Sequence, residues 1–211
     1  MKKSISQILI IAIGLLVILS TLGIGLGIKS YINTRPEVPG EIQKPEAPQL
    51  KEGFLYGKGN KPVNLFDQND NRMRIVYFGF THCPDICPTS LAMLAGALNQ
   101  LDEKTVAHLR PVFITLDPER DNGDDSYQYA QYFHKSIEGL SAPLDVTKPL
   151  ANKYGVTFRK TDLKNSELDY TLDHSSYFYF MRPDGTLITK VPHTESPAPI
   201  VDAIKTLTDS E

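Results

Sequence analysis

A chain of 211 residues with 22 Lys+Arg against 25 Asp+Glu carries a formal charge of −3, and four of its basic residues (Lys2, Lys3, Lys29, Arg35) but one acid (Glu37) precede position 40. The remainder is acidic, which excludes a protein whose main partner is a polyanion, nucleic acid included. Hydrophobic residues at 41% and charged residues at 22% describe a globular chain with room for one core, and only two cysteines exclude a multi-disulfide scaffold.

From Ile8 to Ile28 no side chain is charged, and Lys2, Lys3 and Lys29 flank the run. As a helix rising about 1.5 Å per residue it would span about 31 Å, the thickness of a bilayer core. A cleaved secretory signal usually has an apolar region of only about 7–15 residues, so an uncleaved signal anchor fits better, although Ser20, Thr21 and Gly23 leave a cleavage site open. Lys2 and Lys3 in so short a tail hold the N-terminus in the cytoplasm and place everything after Lys29 outside it. An Arg-poor N-terminus is unlike a mitochondrial presequence and points to a bacterial inner membrane, single-pass, with the C-terminal part in the periplasm. The expected organisation is a cytoplasmic tail at 1–7, a transmembrane signal anchor at 8–28, an extracytoplasmic linker at 29–52 and a folded domain at 53–211. Within the linker, Arg35 to Leu50 carries four prolines and reads as an extended spacer.

Met73 to Phe80 (MRIVYFGF) is a nearly continuous apolar run, as expected for a central strand buried on both faces. Leu91, Leu94, Leu98 and Leu101 recur at helical spacing and predict a helix from about Pro88 to Glu103; Pro111 to Leu116 (PVFITL) predicts a second, parallel strand. Further helices are expected over Ser126 to Lys135 and Lys148 to Tyr154. Ser176 to Met181 and Thr186 to Val191 flank Arg182-Pro183-Asp184-Gly185, a turn signal that predicts an antiparallel hairpin, and a last helix is expected from about Pro197 to Thr206. This order predicts an α/β, thioredoxin-like fold, with extra strands near Val63 to Asp67 and Val156 to Lys160.

The segment Phe80-Thr81-His82-Cys83-Pro84-Asp85-Ile86-Cys87-Pro88 follows the carboxyl end of the central strand, where open α/β sheets bind ligands. Both cysteines precede proline, which disfavours the α region and argues for a stiff loop rather than a plain helical pair. That loop runs into a helix N-terminus, whose partial positive charge favours thiolate over thiol. Two thiolates there form a soft site suited to Cu(I) and leave room for a third donor, for which the five histidines are candidates. His174, in a loop expected just before the first hairpin strand, would face the cysteines in a thioredoxin-like fold. His82 adjoins Cys83, but neighbours near a strand end point to opposite sides. His108, His134 and His193 read as surface or helix-end residues.

Three segments together, Phe78 to Pro88, Asp117-Pro118-Glu119-Arg120-Asp121, and Asp169-Tyr170 through Asp173-His174-Ser175, resemble the Sco/SenC copper metallochaperones of cytochrome c oxidase assembly in order and spacing. The resemblance covers roughly Asn64 to Leu207 together with the N-terminal anchor. It implies that Cys83 and Cys87 are copper thiolates, that His174 is the third ligand, that one copper ion, as Cu(I), Cu(II) or both in turn, is held per chain, and that its destination is the binuclear CuA centre of the oxidase. The partners implied are the CuA-bearing subunit, a copper donor and a thiol reductant. Asp117 looks like the acid of the family's D-P-x-R-D segment.

The competing reading is an enzyme, a membrane-tethered thiol-disulfide oxidoreductase using Cys83 and Cys87. Thioredoxin-type enzymes space their cysteines by two residues, whereas this chain has three, which favours chelation. Peroxiredoxins place Thr three positions before the reactive Cys, and Thr81 is two before Cys83; glutathione peroxidases use a Trp, and this chain has none. A structural zinc module would need a fourth protein ligand.

Overall fold

A computed structural model describes residues 53–164 and 168–209. Its centre is a five-stranded sheet in the order β5-β4-β3-β8-β9, built from β3 (Met73–Gly79), β4 (Leu109–Thr115), β5 (Glu138–Leu140), β8 (Tyr177–Met181) and β9 (Leu187–Pro192). Strands β3, β4 and β5 run parallel, and β8 pairs antiparallel with both β3 and β9. Two small sheets accompany it, β1 (Phe54–Tyr56) with β2 (Pro62–Asn64), and β6 (Phe158–Asp162) with β7 (Tyr170–His174). Among the described residues the α-helices are α1 (Ile86–Asn99), α2 (Glu103–Ala107), α3 (Gly123–Phe133), α4 (Leu144–Lys153) and α5 (Ala198–Thr208). The α/β, thioredoxin-like architecture is the one the element order predicts.

The apolar run Ile75-Val76-Tyr77-Phe78 is fully buried in β3, between β4 and β8. Because β3 and β4 are joined through α1 and pair in parallel from Met73↔Leu109 to Gly79↔Thr115, their carboxyl ends lie side by side. The loops after β3 and after β4 are therefore neighbours, and this sets the site. At the other end of the sheet the fully buried Arg74 donates to the carbonyls of Leu65, Asp67, Asp70 and Arg72, tying the 65–72 loop beneath β3. Arg110 binds Glu138 through two hydrogen bonds of 2.9 and 3.0 Å, joining β4 to β5. In the β8–β9 turn Gly185 takes φ +84° and donates its N–H to the Arg182 carbonyl, a conformation glycine adopts without Cβ strain.

Several element boundaries differ from the sequence expectation, each for a local reason. Helix α1 begins at Ile86 and stops at Asn99, short of the expected end, and a separate helix α2 starts at Glu103, capped by the Asp102 carboxylate accepting from Thr105 N–H. Helix α3 starts three residues early because Asn122 and Asp125 form a reciprocal capping box. Helix α4 begins at Leu144 and carries Pro149 inside, the residue that makes the segment before it read as non-helical. Strands β1 and β5, three residues each, are too short to show a period. No helix among the described residues is long and apolar enough to cross a membrane, and the span expected at Ile8 to Ile28 lies outside the described residues.

Candidate metal centre

Strand β3 ends at Gly79, and the chain turns at Phe80 so that the Cys83 N–H approaches the Phe80 carbonyl at 3.4 Å. Asp85 occupies the helix cap, which leaves Cys83 just outside α1 and puts Cys87 in its first turn. The stiff loop expected from the prolines thus ends sooner than predicted: a first-turn residue tolerates a following proline because Pro88 has no intrahelical donor to lose there. The Cys87 backbone N–H points at the Cys83 sulfur at 3.4 Å, so a helix-terminal donor faces one thiol directly. Gly79 makes room for the pair, since a Cβ there would lie 2.8 Å from Cys87 Sγ.

His174 is not in a loop before the first sheet strand, as the sequence suggested. It is the last residue of β7, paired with Phe158 in the separate β6–β7 hairpin. Its ring stands edge-on to Tyr77 and Phe80, with centroids at 6.3 and 5.8 Å. Nδ1 lies 3.0 Å from the Ser175 carbonyl, which can only accept, so Nδ1 carries the proton and Nε2 presents its lone pair. That Nε2 sits 3.3 Å from Cys87 Sγ. The three potential donor atoms, Cys83 Sγ, Cys87 Sγ and an imidazole nitrogen of His174, all lie within 4.8 Å of one another.

The other histidines do not join the group. His82 turns its Nδ1 to Thr81 Oγ1 at 3.0 Å and to Asp121 at 3.2 Å. His108 Nδ1 is 2.7 Å from the Lys104 carbonyl, and His134 Nδ1 accepts from Ser136 N–H. His193 meets the buried Ser90 hydroxyl at 2.7 Å, a structural contact between the loop after β9 and α1.

The two cysteines are unequal. Cys87 is fully buried and its thiol is pushed up, first by sharing a hydrogen bond with Cys83, then by desolvation. Cys83 is half-buried and its thiol is lowered, first by the hydrogen bond from Cys87 and further by the backbone N–H groups of Asp85 and Cys87. The first proton lost by the pair thus leaves a thiolate on the accessible Cys83, with the remaining proton on Cys87. Brief treatment of the reduced protein with limiting iodoacetamide at pH 6 is expected to alkylate Cys83 and spare Cys87, as read by peptide mass spectrometry; equal labelling would overturn this asymmetry.

One element of the site escapes sequence reading. Asp121, fully buried, accepts from Thr81 N–H at 2.8 Å, Thr81 Oγ1 at 2.5 Å and Thr115 Oγ1 at 2.6 Å. It holds the start of the cysteine loop onto the end of β4. Its position in the D-P-x-R-D segment was the available signal, but that segment drew attention to Asp117 instead.

A thioredoxin-like domain with a dithiol and an imidazole gathered at the end of its central strand defines a class of protein built for soft metal ions or for dithiol chemistry. The SCO1/SenC family model matches residues 54–209, and the chain belongs to that family. The mitochondrial protein SCO1 homolog 1 of Arabidopsis thaliana is 35% identical over 175 residues, covering 78% of this chain and 52% of that protein. A SCO2-like protein of Rickettsia felis is 31% identical over 176 residues, covering 78% of this chain and 85% of the other. The crystal structure of Arabidopsis thaliana ScoI with copper bound superposes with a TM-score of 0.67 at 32% identity, over 75% of this chain and 98% of that one. The chain thus spans about half the length of its Arabidopsis curated relative, while a copper-bound relative shares nearly all of its resolved fold. Two sulfurs and one imidazole nitrogen in this chain make a donor set that could hold a copper ion.

Proposed function

We propose that this protein is a copper carrier that binds one copper ion through Cys83, Cys87 and His174 and delivers it to the CuA centre of cytochrome c oxidase. The observation that carries the reading is the convergence of two sulfurs and one imidazole nitrogen within 4.8 Å, brought together from opposite ends of the domain sequence. Here copper is cargo. Two thiolates favour the soft Cu(I) ion, and three donors leave a coordination position at which an incoming partner ligand can attach before the first donors let go. The exposed His82, Pro84, Asp85 and Ile86 surround the half-buried Cys83, so a partner reaches the site from the cysteine side.

The uncharged segment Ile8 to Ile28 and the proline-rich linker after it support a single-pass anchor in a bacterial inner membrane, with residues 53–211 as the copper-binding domain in the periplasm. In that setting the CuA-bearing subunit is the acceptor, and a copper donor and a thiol reductant act upstream. Mixing the Cu(I)-loaded chain with a metal-free CuA-bearing fragment is expected to move copper to the fragment, with the CuA absorption developing after reoxidation. A fragment that stays metal-free beside the loaded chain, yet fills from a copper salt, would overturn the delivery reading.

The thiol asymmetry supports a second reading, dithiol exchange. The Cys83 thiolate would attack a partner disulfide, expelling one partner thiolate; Cys87, on losing its proton to that thiolate, would attack Cys83 Sγ and release the second. The partner gains two electrons and the chain ends as the Cys83–Cys87 disulfide.

A further inference from the structure

The β6–β7 hairpin is a two-stranded sheet of its own, so the backbone ladder of the main sheet does not fix where His174 sits. Side chains tie it to the body, and they converge on the loop after β4. Tyr170, at the opposite end of β7 from His174, donates its hydroxyl to Asp117 at 2.7 Å. Arg120 donates Nε to the other Asp117 oxygen at 2.6 Å and Nη1 to the Tyr170 carbonyl at 3.1 Å, with its guanidinium carbon 3.7 Å from the Tyr170 ring centroid. Asp117 is only 3% exposed, so its charge depends on these two donors for compensation. Arg120 therefore grips the strand and the carboxylate at once, a fork geometry that a single ammonium cannot reproduce.

The same loop reaches the other half of the site. Asp121, four residues after Asp117, binds the N–H and hydroxyl of Thr81 at the start of the cysteine loop. One short segment thus registers the thiols through Asp121 and the imidazole through Asp117 and Arg120. Packing shares in the second tie, since Tyr170 and Leu172 are buried in the core, Phe158 packs against it and Lys160 binds Glu119 at 2.8 Å. Beside these contacts lies a cavity of about 200 Å³ bordered by Leu116, Asp117, Lys148, Phe158, Tyr170 and Leu172. The hydrogen bonds of Asp117 and Arg120 add a directional constraint that apolar packing lacks.

We propose that Asp117, Arg120 and Tyr170 are positioning residues that latch the β6–β7 hairpin and so set how firmly His174 closes on copper. The inference rests on the copper reading above. With the latch intact, the ordering of β7 is already present before the metal arrives; with it broken, copper binding must supply that ordering, and retention falls. Loss of a partner that orients a ligand typically costs about 10–100-fold in metal affinity.

The test is a double-mutant cycle on the full chain in mild detergent, with Cu(I) partitioned against a chromogenic chelator. Tyr170→Phe deletes one hydroxyl and leaves the Asp117–Arg120 pair in place, and Arg120→Lys keeps the charge while losing the fork. Each is expected to lower Cu(I) retention by about 10-fold in the parent and to have no further effect in the His174→Ala background. In the metal-free chain, amide exchange across 170–174 should speed up while the β3 and β4 amides stay protected. Equal losses in both backgrounds would assign these residues a general structural role and overturn the latch, as would unchanged retention in the parent. Should His174→Ala alone retain copper like the parent, the ligand set is wrong and the latch falls with it, a result distinct from failure of the latch on a sound ligand set.

Discussion

Replacing His174 by alanine is expected to weaken Cu(I) retention by more than about 100-fold while leaving dithiol exchange at Cys83 and Cys87 in place. Mutations of residues that merely orient a ligand cost up to about that factor, and the imidazole is one of three donors that converge here among the described residues. The ring is held for this work, with Nδ1 committed to the Ser175 carbonyl and Nε2 facing the sulfurs at 3.3 Å from Cys87. Dithiol exchange, by contrast, needs two sulfurs and an accessible thiolate. The lowering of the Cys83 thiol comes first from Cys87, so the nucleophile's activation survives the substitution. Retention against a chelator, measured beside the reduction potential of the cysteine pair, separates the two functions. His82→Ala is the control, since its imidazole is engaged with Thr81 and Asp121 and is not among the converging donors. Retention lost in His82→Ala and kept in His174→Ala would reverse the assignment.

Oxidation of the cysteine pair is expected to abolish copper uptake, and Cys83→Ser or Cys87→Ser to abolish both retention and disulfide formation. A disulfide consumes both soft donors and leaves a single imidazole, which is not a Cu(I) site of comparable strength. The sulfurs are already placed for closure, with Cys83 Sγ accepting from the Cys87 N–H and both thiols within the same 4.8 Å group, so a chain purified without reductant will oxidise readily. Copper should in turn protect both thiols from alkylation. The check is thiol counting on the reduced and oxidised chain before Cu(I) titration. Full uptake by a chain with no free thiols would remove the cysteines from the site.

Much of this architecture was legible because its signals are local. The buried run Met73 to Phe80 announces the central strand through its continuous apolar, β-branched and aromatic character, and Cys83 and Cys87 announce a dithiol by lying in one short segment with only three residues between them. The Arg182-Pro183-Asp184-Gly185 turn fixes the hairpin because only a residue without Cβ takes φ +84° freely. Short strands were less legible: β1 and β5, three residues each, and β7 show no strand signal that was read, while β6 (Phe158–Asp162) was expected two residues early, near Val156 to Lys160, because it is held by pairing with β7 rather than by an alternating apolar face.

By itself, then, the sequence determined the α/β core, the dithiol at the end of its central strand, and three motifs in the order of one family. Although the sequence also pointed to His174, only the tertiary structure shows how an imidazole 87 residues from Cys87 comes within 3.3 Å of it, through a hairpin that Tyr170 and Arg120 join to the loop after β4. It also decided that Asp121 anchors the cysteine loop and that the two thiols differ in acidity. These properties follow from burial and from donors contributed by distant segments, quantities that exist only once loop closure has brought the carboxyl ends of β3 and β4 side by side.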